Sequence, residues 1–523
     1  MRKTLYCFTH DLRLADNQLL QNAVDRSHEI AFIYVVDPVW FKPTNYQQLP
    51  MGAIRWQFTC QALRDLEVQL QSYGHVLNVV LGSPVNALTS LLKHAGFDTL
   101  AMANPIGLFE RQQRNAVSKA HSQVAFLTDW SQTLYTPAQL RSAQALPDKQ
   151  QGWKSFSYFR KKVEKAGVLP FAAQAFNAQS FNARPVKSVD IENVFADNQS
   201  LSLLTQAQRV SLCQPDAAHP QDPIPGQPDI DQPDKSQLSD SQSSNSQSSN
   251  SQSSNSHASE RPLNNRQLRN SQLSQHPFQY RGGETAGWQH MLDYFASGAA
   301  STYKNTRNAL DGCFNSTGFS PYLGIGNISP RQIYYHLKQY EQDHGVNEST
   351  YWIYFELLWR EYFQWLALML EQRLFRFRGL ARSAPLTSFF PERFAKWCQG
   401  NTPYAIVNAC MQQLNSTGFM SNRGRQLVAS CLVNELGIDW RYGAAYFQQQ
   451  LIDYDVASNW GNWQYIAGVG VDPRGGRHFN LQKQTQMFDP DGVFIETWQG
   501  RGDGASLDSV DMVDWPIMLE GER

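Results

Sequence analysis

IDYDVASNWGNWQYIAGVG, residues Ile452 to Gly470, comes shortly after STGFMSNRGRQLVAS, residues Ser416 to Ser430. Both segments scan as helix and helix edge, yet both load that helix with groups a packed core does not need. Asn422 and Arg425 stand at i, i+3, and Asn422 and Gln426 at i, i+4, so all three side chains emerge on one face. Asn459 and Trp463 are also i, i+4, which sets an amide beside an indole. Asp453 and Asp455 precede them, and Gly461 and Gly468 are interleaved. Polar side chains set against large π-surfaces suit a planar, polar, heteroaromatic ligand such as a flavin. Either segment alone reads equally well as a polar capping network around buried tryptophans. The pair together favours a ligand site built on helices.

Outward from these segments, the helical signal runs from His276 to about Gln499, with short Gly, Pro and Asn punctuation and no sustained strand alternation. Residues 276–500 therefore read as an all-α domain, followed by a short tail, 501–523. Residues 1–135 differ in kind. Thr4–Thr9, Ile30–Asp37, Val76–Leu81, Thr99–Asn104 and Val124–Thr128 are short apolar runs, and Ala53–Tyr73, Pro84–Gly96 and Phe109–His121 have helical length and pattern. That alternation predicts an α/β domain with a doubly wound, parallel five-stranded sheet. No GxGxxG follows the first strand, which argues against a dinucleotide held in the Rossmann manner there. Residues 136–197 read as a connector with one helix, Trp153–Lys165, running over the surface. From 198 to 275 the chain turns to Ser, Gln, Asn, Asp and Pro, with SQSSN three times in tandem between Ser241 and Asn255. So polar a tract buries too little apolar surface to offset its ordering entropy, and it is expected to be a disordered insertion.

The chain has 523 residues, of which 12% are aromatic, including 14 tryptophans. That richness fits large cores and also fits ring stacking or electron relay. The formal net charge is −1, so any attraction to nucleic acid must come from a local patch. The seven cysteines form no CxxC pair and no metal spacing, which reads as reduced thiols. No signal core and no apolar run of membrane-spanning length is visible, so a cytoplasmic protein with no membrane partner is expected.

The two opening segments resemble the flavin-binding core of the photolyase/cryptochrome superfamily, and within it the cryptochrome DASH branch. FTHDLRLADNQLL (Phe8 to Leu20) is similar to the superfamily's first strand-to-helix turn. YKNTRN (Tyr303 to Asn308), TGFSPYLGIGNISPRQIY (Thr317 to Tyr334), STYWIYFELLWREYF (Ser349 to Phe363) and FNLQKQTQMFDPDG (Phe479 to Gly492) follow in the same order. The resemblance covers most of the chain outside the polar insertion. It implies an N-terminal antenna domain, a C-terminal domain holding FAD, and light-driven electron transfer from reduced FAD.

On this resemblance Tyr303 and Thr317, Gly318, Phe319 and Ser320 hold the FAD phosphates, with Ser320 reading otherwise as a plain N-cap before Pro321. Arg360 lies against the flavin; Arg425, Asp453 and Asp455 meet its polar edge, and Asn459 faces flavin N5. Arg307, Glu356, Trp359, Asn422, Arg423, Gln426 and Tyr465 fall on positions lining the cavity for a flipped pyrimidine dimer. On sequence alone, Glu356 and Arg360 also read as an exposed i, i+4 ion pair, although the apolar neighbours Leu357, Leu358, Trp359 and Phe363 argue against full exposure. Gln426 stands where duplex-repairing photolyases carry Met, and Tyr465 where they carry Trp, which reduces contact with flipped bases. Trp463 and Trp440 match the first two tryptophans of the electron relay. The third position is Thr387, which does not oxidise easily, so Trp397 is the expected alternative terminus. Glu110, in GLFERQQR, matches a residue near the pterin of a 5,10-methenyltetrahydrofolate antenna, although a lone Glu at a helix start also serves the helix dipole. The run RLFRFRGLAR (Arg373 to Arg382) reads as a phosphate clamp or, equally, a solvated helix end.

The expected function is blue-light repair of cyclobutane pyrimidine dimers, with single-stranded DNA as the preferred partner, duplex DNA or RNA bound more weakly, and the protein a monomer. The rival is a blue-light receptor that binds nucleic acid or a protein without repair.

Overall fold

A computed structural model of the chain describes residues 2–146, 154–178, 181, 183–196, 200–212, 280–471, 475–504 and 506–508. The N-terminal half runs β1 (Lys3–Phe8), α1 (Gln18–Arg26), β2 (Glu29–Val36), α2 (Ala53–Ser72), β3 (Leu77–Leu81), α3 (Pro84–His94), β4 (Thr99–Met102), α4 (Leu108–Ala120) and β5 (Ala125–Leu127). These five strands pair in parallel in the order β5-β4-β1-β2-β3. Both faces are covered, which is why the strands read as nearly unbroken apolar runs. Leu5, Cys7, Ile33 and Val35 join one core with Leu88, Leu91 and Phe97. The alternate residues Tyr6, Phe8 and Phe32 cluster their rings on the opposite face.

The connector does more than cross a surface. It forms α5 (Pro137–Ser142), α6 (Phe156–Lys165), β6 (Arg184–Pro185) and α7 (Ser188–Ala196), then β7 (Ser202–Leu203) and α8 (Gln206–Ser211). The sheet therefore has seven strands rather than five. β6 pairs with Glu29 and Ile30, the end of β2 that β3 leaves open because β3 begins its pairing at Phe32. β7 runs antiparallel to β3. The helix expected from Trp153 begins at Phe156; Trp153 itself lies outside the described residues. It lies on the surface as expected, burying Phe156, Phe159 and Val163 along one face and leaving the rest of the helix exposed or half-buried. The expected disordered start at residue 198 is also corrected. Residues 200–212 hold β7 and α8, and the Trp56 indole donates to the Arg209 carbonyl at 2.9 Å. Most of the polar insertion lies outside the described residues.

The C-terminal half is helical: α9 (Glu284–Ala296), α10 (Tyr303–Thr306), α11 (Ser320–Ile325), α12 (Pro330–His344), α13 (Glu348–Leu370), α14 (Pro391–Gln399), α15 (Ala405–Thr417), α16 (Asn422–Ser430), α17 (Trp440–Gln450), α18 (Val456–Ile466), α19 (Leu481–Phe488) and α20 (Val493–Thr497). Among the described residues no helix is long and apolar enough to cross a membrane.

The segment after β1 joins the two halves. Arg13 is buried and donates to the carbonyls of Gly326 (2.9 Å) and Ser131 (2.8 Å). Glu284 accepts from the backbone of Leu14 (2.7 Å) and Ala15 (2.9 Å), and Arg331 pairs with Asp16 at 3.0 Å. Gly326 has φ +75°, and a Cβ there would sit 2.0 Å from the His10 carbonyl oxygen. The close crossing of the two chains needs a glycine at that point.

Candidate active site

A cavity of about 420 Å³ opens among α10, α11, α13, α16, α17 and α18. Its lining gathers Tyr303, Thr317, Gly318, Phe319, Ser320, Arg360, Arg425, Asp453, Asp455 and Asn459. The same lining holds Arg307, Glu356, Trp359, Asn422, Gln426, Tyr465 and Trp463. Residues from positions 303 to 465 thus meet around one space, and the size is that of a small-molecule site.

Asp453 is the most buried charge of the set, with its side chain 1% exposed. Arg425 pairs with its Oδ2 at 2.7 Å, and its Oδ1 is buried without a partner. An orphaned carboxylate oxygen in a cavity wall is costly unless a ligand donor completes it. Arg425 is fixed from behind by donating to the Met420 carbonyl at 2.8 Å. Asp455 caps α18, accepting from the Ser458 N–H at 2.7 Å, and its other oxygen accepts from Gln364 at 2.5 Å and meets Arg360 at 3.6 Å. Arg360 is therefore paired with Asp455, and the i, i+4 pairing with Glu356 does not form. Asn459 donates its amide to the Ala444 carbonyl at 3.0 Å, leaving its own carbonyl oxygen as an acceptor for a ligand N–H. Ser320 begins the six-residue α11 without a capping side chain, so the plain N-cap reading is not what forms.

Farther along α13, Glu356 pairs with Arg307, whose guanidinium also lies over the Trp352 ring at 5.7 Å. Burial pushes the Glu356 carboxyl upward, and Arg307 pulls it back. Trp359 stacks with Phe363 at 5.6 Å and meets Tyr465 edge-on at 6.3 Å. The Tyr465 hydroxyl accepts from Arg477 Nε at 3.1 Å.

Three expected residues lie elsewhere. Arg423 does not line the cavity. Its guanidinium is held over the rings of Phe488 (4.8 Å) and Phe479 (5.7 Å) and donates to Asn308 at 3.2 Å, because one residue after Asn422 points about 100° around the helix. Trp440 is fully buried, pairs edge-on with Trp460 at 5.8 Å and donates to the Phe377 carbonyl. The ring neighbours of Trp463 are Phe447 at 5.2 Å and Trp397 at 6.3 Å. Trp397, expected as a terminus, is itself fully buried. Glu110 is exposed in the first turn of α4. Its neighbours Arg111 and Arg114, with Arg373 and Arg376 of the basic run, line a separate cavity of about 400 Å³.

Sequence reading missed Phe363, Gln364, Phe447, Asn462 and Arg477. Gly461 was the available signal for Phe363: a Cβ there would lie 2.4 Å from that ring. Gly443 similarly marks Trp463, whose ring would lie 2.3 Å from an added Cβ.

Residues 4–177 match the family described as DNA photolyase, and residues 352–505 match the FAD binding domain of DNA photolyase. A cryptochrome DASH from Idiomarina loihiensis is 41% identical over 517 residues, covering 99% of this chain and 97% of that protein. The chain belongs to the cryptochrome DASH family. A second relative of that name, from Vibrio parahaemolyticus, is 66% identical over 244 residues, 47% of this chain and 55% of its own length. The crystal structure of a Synechocystis cryptochrome superposes with a TM-score of 0.74 at 32% identity, covering 95% of this chain and 88% of that one. A class III photolyase from Agrobacterium tumefaciens shares the fold at a TM-score of 0.69 and 22% identity, covering 95% and 86%.

FAD is the cofactor such a domain holds, and the residues present fit it. The buried, unpartnered Asp453 oxygen, the Arg425 cation beside it and the fixed acceptor of Asn459 offer a heteroaromatic ring its donors and acceptors. Gly324 permits close approach: a Cβ there would lie 3.1 Å from the Asp453 backbone.

Proposed function

We propose that this chain splits cyclobutane pyrimidine dimers under blue light, preferentially in single-stranded DNA. The observation that carries the reading is that Glu356, Trp359, Asn422, Gln426 and Tyr465 line the same cavity as Asp453, Arg425 and Asn459, the residues suited to hold the flavin. When bound, FAD in its reduced state would supply the electron for ring opening and take it back once the two pyrimidines are restored. The chain supplies position and charge. Glu356 and the Asn422 amide hydrogen-bond the base edges, and Trp359 and Tyr465 offer ring surface. Base stacking on an aromatic side chain contributes about 1–3 kcal/mol per base. Tyr465 gives less ring area than an indole, and Gln426 gives a polar wall. Flipping two bases from a duplex costs a few kcal/mol, least from a single strand, so the weaker stacking favours single strands.

The reading extends to a 5,10-methenyltetrahydrofolate antenna at the second cavity. Arg111, Arg114, Arg373 and Arg376 there present guanidinium forks suited to carboxylates of a folate tail. Near-UV absorption after reconstitution, with Arg114→Ala as the weakened variant, tests it.

The deciding experiment illuminates the reduced, FAD-loaded protein with dimer-containing oligonucleotide, single-stranded and duplex, and follows recovery of thymine absorbance. Faster recovery on the single strand is expected. Equal recovery on both removes the strand preference. Binding without recovery leaves a light receptor in place of the enzyme.

A further inference from the structure

We infer that Phe156, on the connector helix α6, is a positioning residue that fixes the plane of Trp359 in the cavity wall. The inference rests on the proposed function, in which Trp359 meets the flipped bases. The Phe156 ring lies parallel to the Trp359 indole, with centroids 3.7 Å apart and planes 12° apart. That is the tightest ring pair around Trp359; Phe363 is at 5.6 Å and Tyr465 at 6.3 Å. A parallel stack at this distance fills one indole face. Trp359 also lines the cavity, so the ring surface it offers there is what Phe156 leaves free.

Among the described residues the Trp359 ring nitrogen makes no hydrogen bond. Its orientation is therefore set by packing, and an aromatic pair contributes about 0.5–1.5 kcal/mol beyond the area it buries. Phe156 is itself held firmly. It is 6% exposed, meets Phe355 at 5.2 Å and 85°, and meets Tyr362 at 5.9 Å and 73°. The helix beneath it and the residues leading into it are tied to α13 at three further points. Tyr362 donates to the Lys154 carbonyl at 2.8 Å, Tyr351 donates to Glu164 at 2.6 Å, and the Arg160 guanidinium lies over the Phe355 ring at 5.4 Å. A residue from the N-terminal side of the chain thus sets the stacking surface of a cavity built by the C-terminal helices.

The test uses the full-length, FAD-loaded protein with Phe156→Leu, Phe156→Ala and Phe156→Tyr. The probe is a single-stranded thymidine oligonucleotide with one cyclobutane dimer, compared in the dark with the same oligonucleotide undamaged. Phe156→Leu and Phe156→Ala are expected to lower the preference for the damaged strand by about 3- to 10-fold. Affinity for the undamaged strand and the FAD absorption stay as in the wild type, and Phe156→Tyr restores the preference. A purely structural role would move FAD retention and both affinities together. Should Phe156→Ala lose FAD, Phe156→Leu decides, since it removes the ring but leaves a smaller cavity. Wild-type preference in the Leu and Ala variants, while Trp359→Ala abolishes it, overturns this inference alone. A wild-type protein indifferent to the lesion overturns the proposed function and this inference together.

Discussion

Gly443→Ala offers a demanding check on the flavin cavity. Gly443 lies inside α17, where alanine ordinarily favours a helix by about 1 kcal/mol. An added Cβ would fall 2.3, 2.7 and 2.8 Å from three atoms of the Trp463 benzo ring. Ordinary carbon contacts begin near 3.5 Å, so the rigid indole must move by roughly 1 Å. It has little room: Trp463 is 2% exposed, with Phe447 and Trp397 packed against it. Overpacking of this kind costs about 1–3 kcal/mol, which outweighs or cancels the helix gain. Because Trp463 also lines the cavity, displacement narrows the space for FAD. The measurement is a double-mutant cycle with Trp463→Phe, read by urea denaturation and by FAD retained after desalting. Gly443→Ala should destabilise the wild type and reduce FAD retention, yet stabilise the Trp463→Phe background by up to about 1 kcal/mol, since the shorter ring vacates the contact. The same sign in both backgrounds would refute the reasoning.

Asp453→Asn should lower FAD affinity at least tenfold, because Arg425 loses its 2.7 Å partner and the cavity loses its buried anion; equilibrium dialysis with FAD checks it. Burial pushes the Glu284 carboxyl up to about 7. The folded chain then holds that proton more tightly than the unfolded chain, so stability falls as pH rises from the ordinary carboxylate range to about 7, by about 3 kcal/mol. Wild-type stability should therefore drop relative to Glu284→Gln across that window and run parallel to it above; matched pH–denaturation series would expose a flat difference. Trp397→Phe should slow light-driven bleaching of the FAD absorption, since the Trp397 indole meets Trp463 edge-on at 6.3 Å; unchanged kinetics would return the route to Trp440.

Periodicity carried the five parallel strands, because both faces of that sheet are buried and every strand reads apolar. It did not carry β6 and β7. Each is two residues long and exists only because β2 and β3 leave ladder positions open. The cavity was legible wherever spacing on one helix decided orientation, as with Asn422, Gln426, Asn459 and Trp463. Arg423 escaped that logic because Asn422 before it lines the cavity while Arg423 itself stacks on Phe479 and Phe488 from a distant segment. Trp440 escaped it for the same reason, since sequence spacing does not say which of two buried tryptophans meets Trp463.

The site belongs to both halves of the chain, and two consecutive residues of α13 show how. Arg360 reaches Asp455 in the cavity while donating to the Gln132 carbonyl at 2.6 Å. Glu361 is 1% exposed and accepts from the backbone of Leu134 (2.7 Å) and Tyr135 (3.1 Å) and from the Trp365 indole (2.6 Å). Burial raises its carboxyl, so those donors are what make the position tolerable. The strip 132–135, which ends the α/β half, is thereby fastened to the helix that carries Glu356, Trp359 and Arg360. One turn away, Phe156 stacks on Trp359 from the connector. A C-terminal half expressed alone would lose these partners together. Its cavity would keep its residues but not their fixed orientations, and preorganised orientation is what a site must hold for charge and stacking to act on a flipped base.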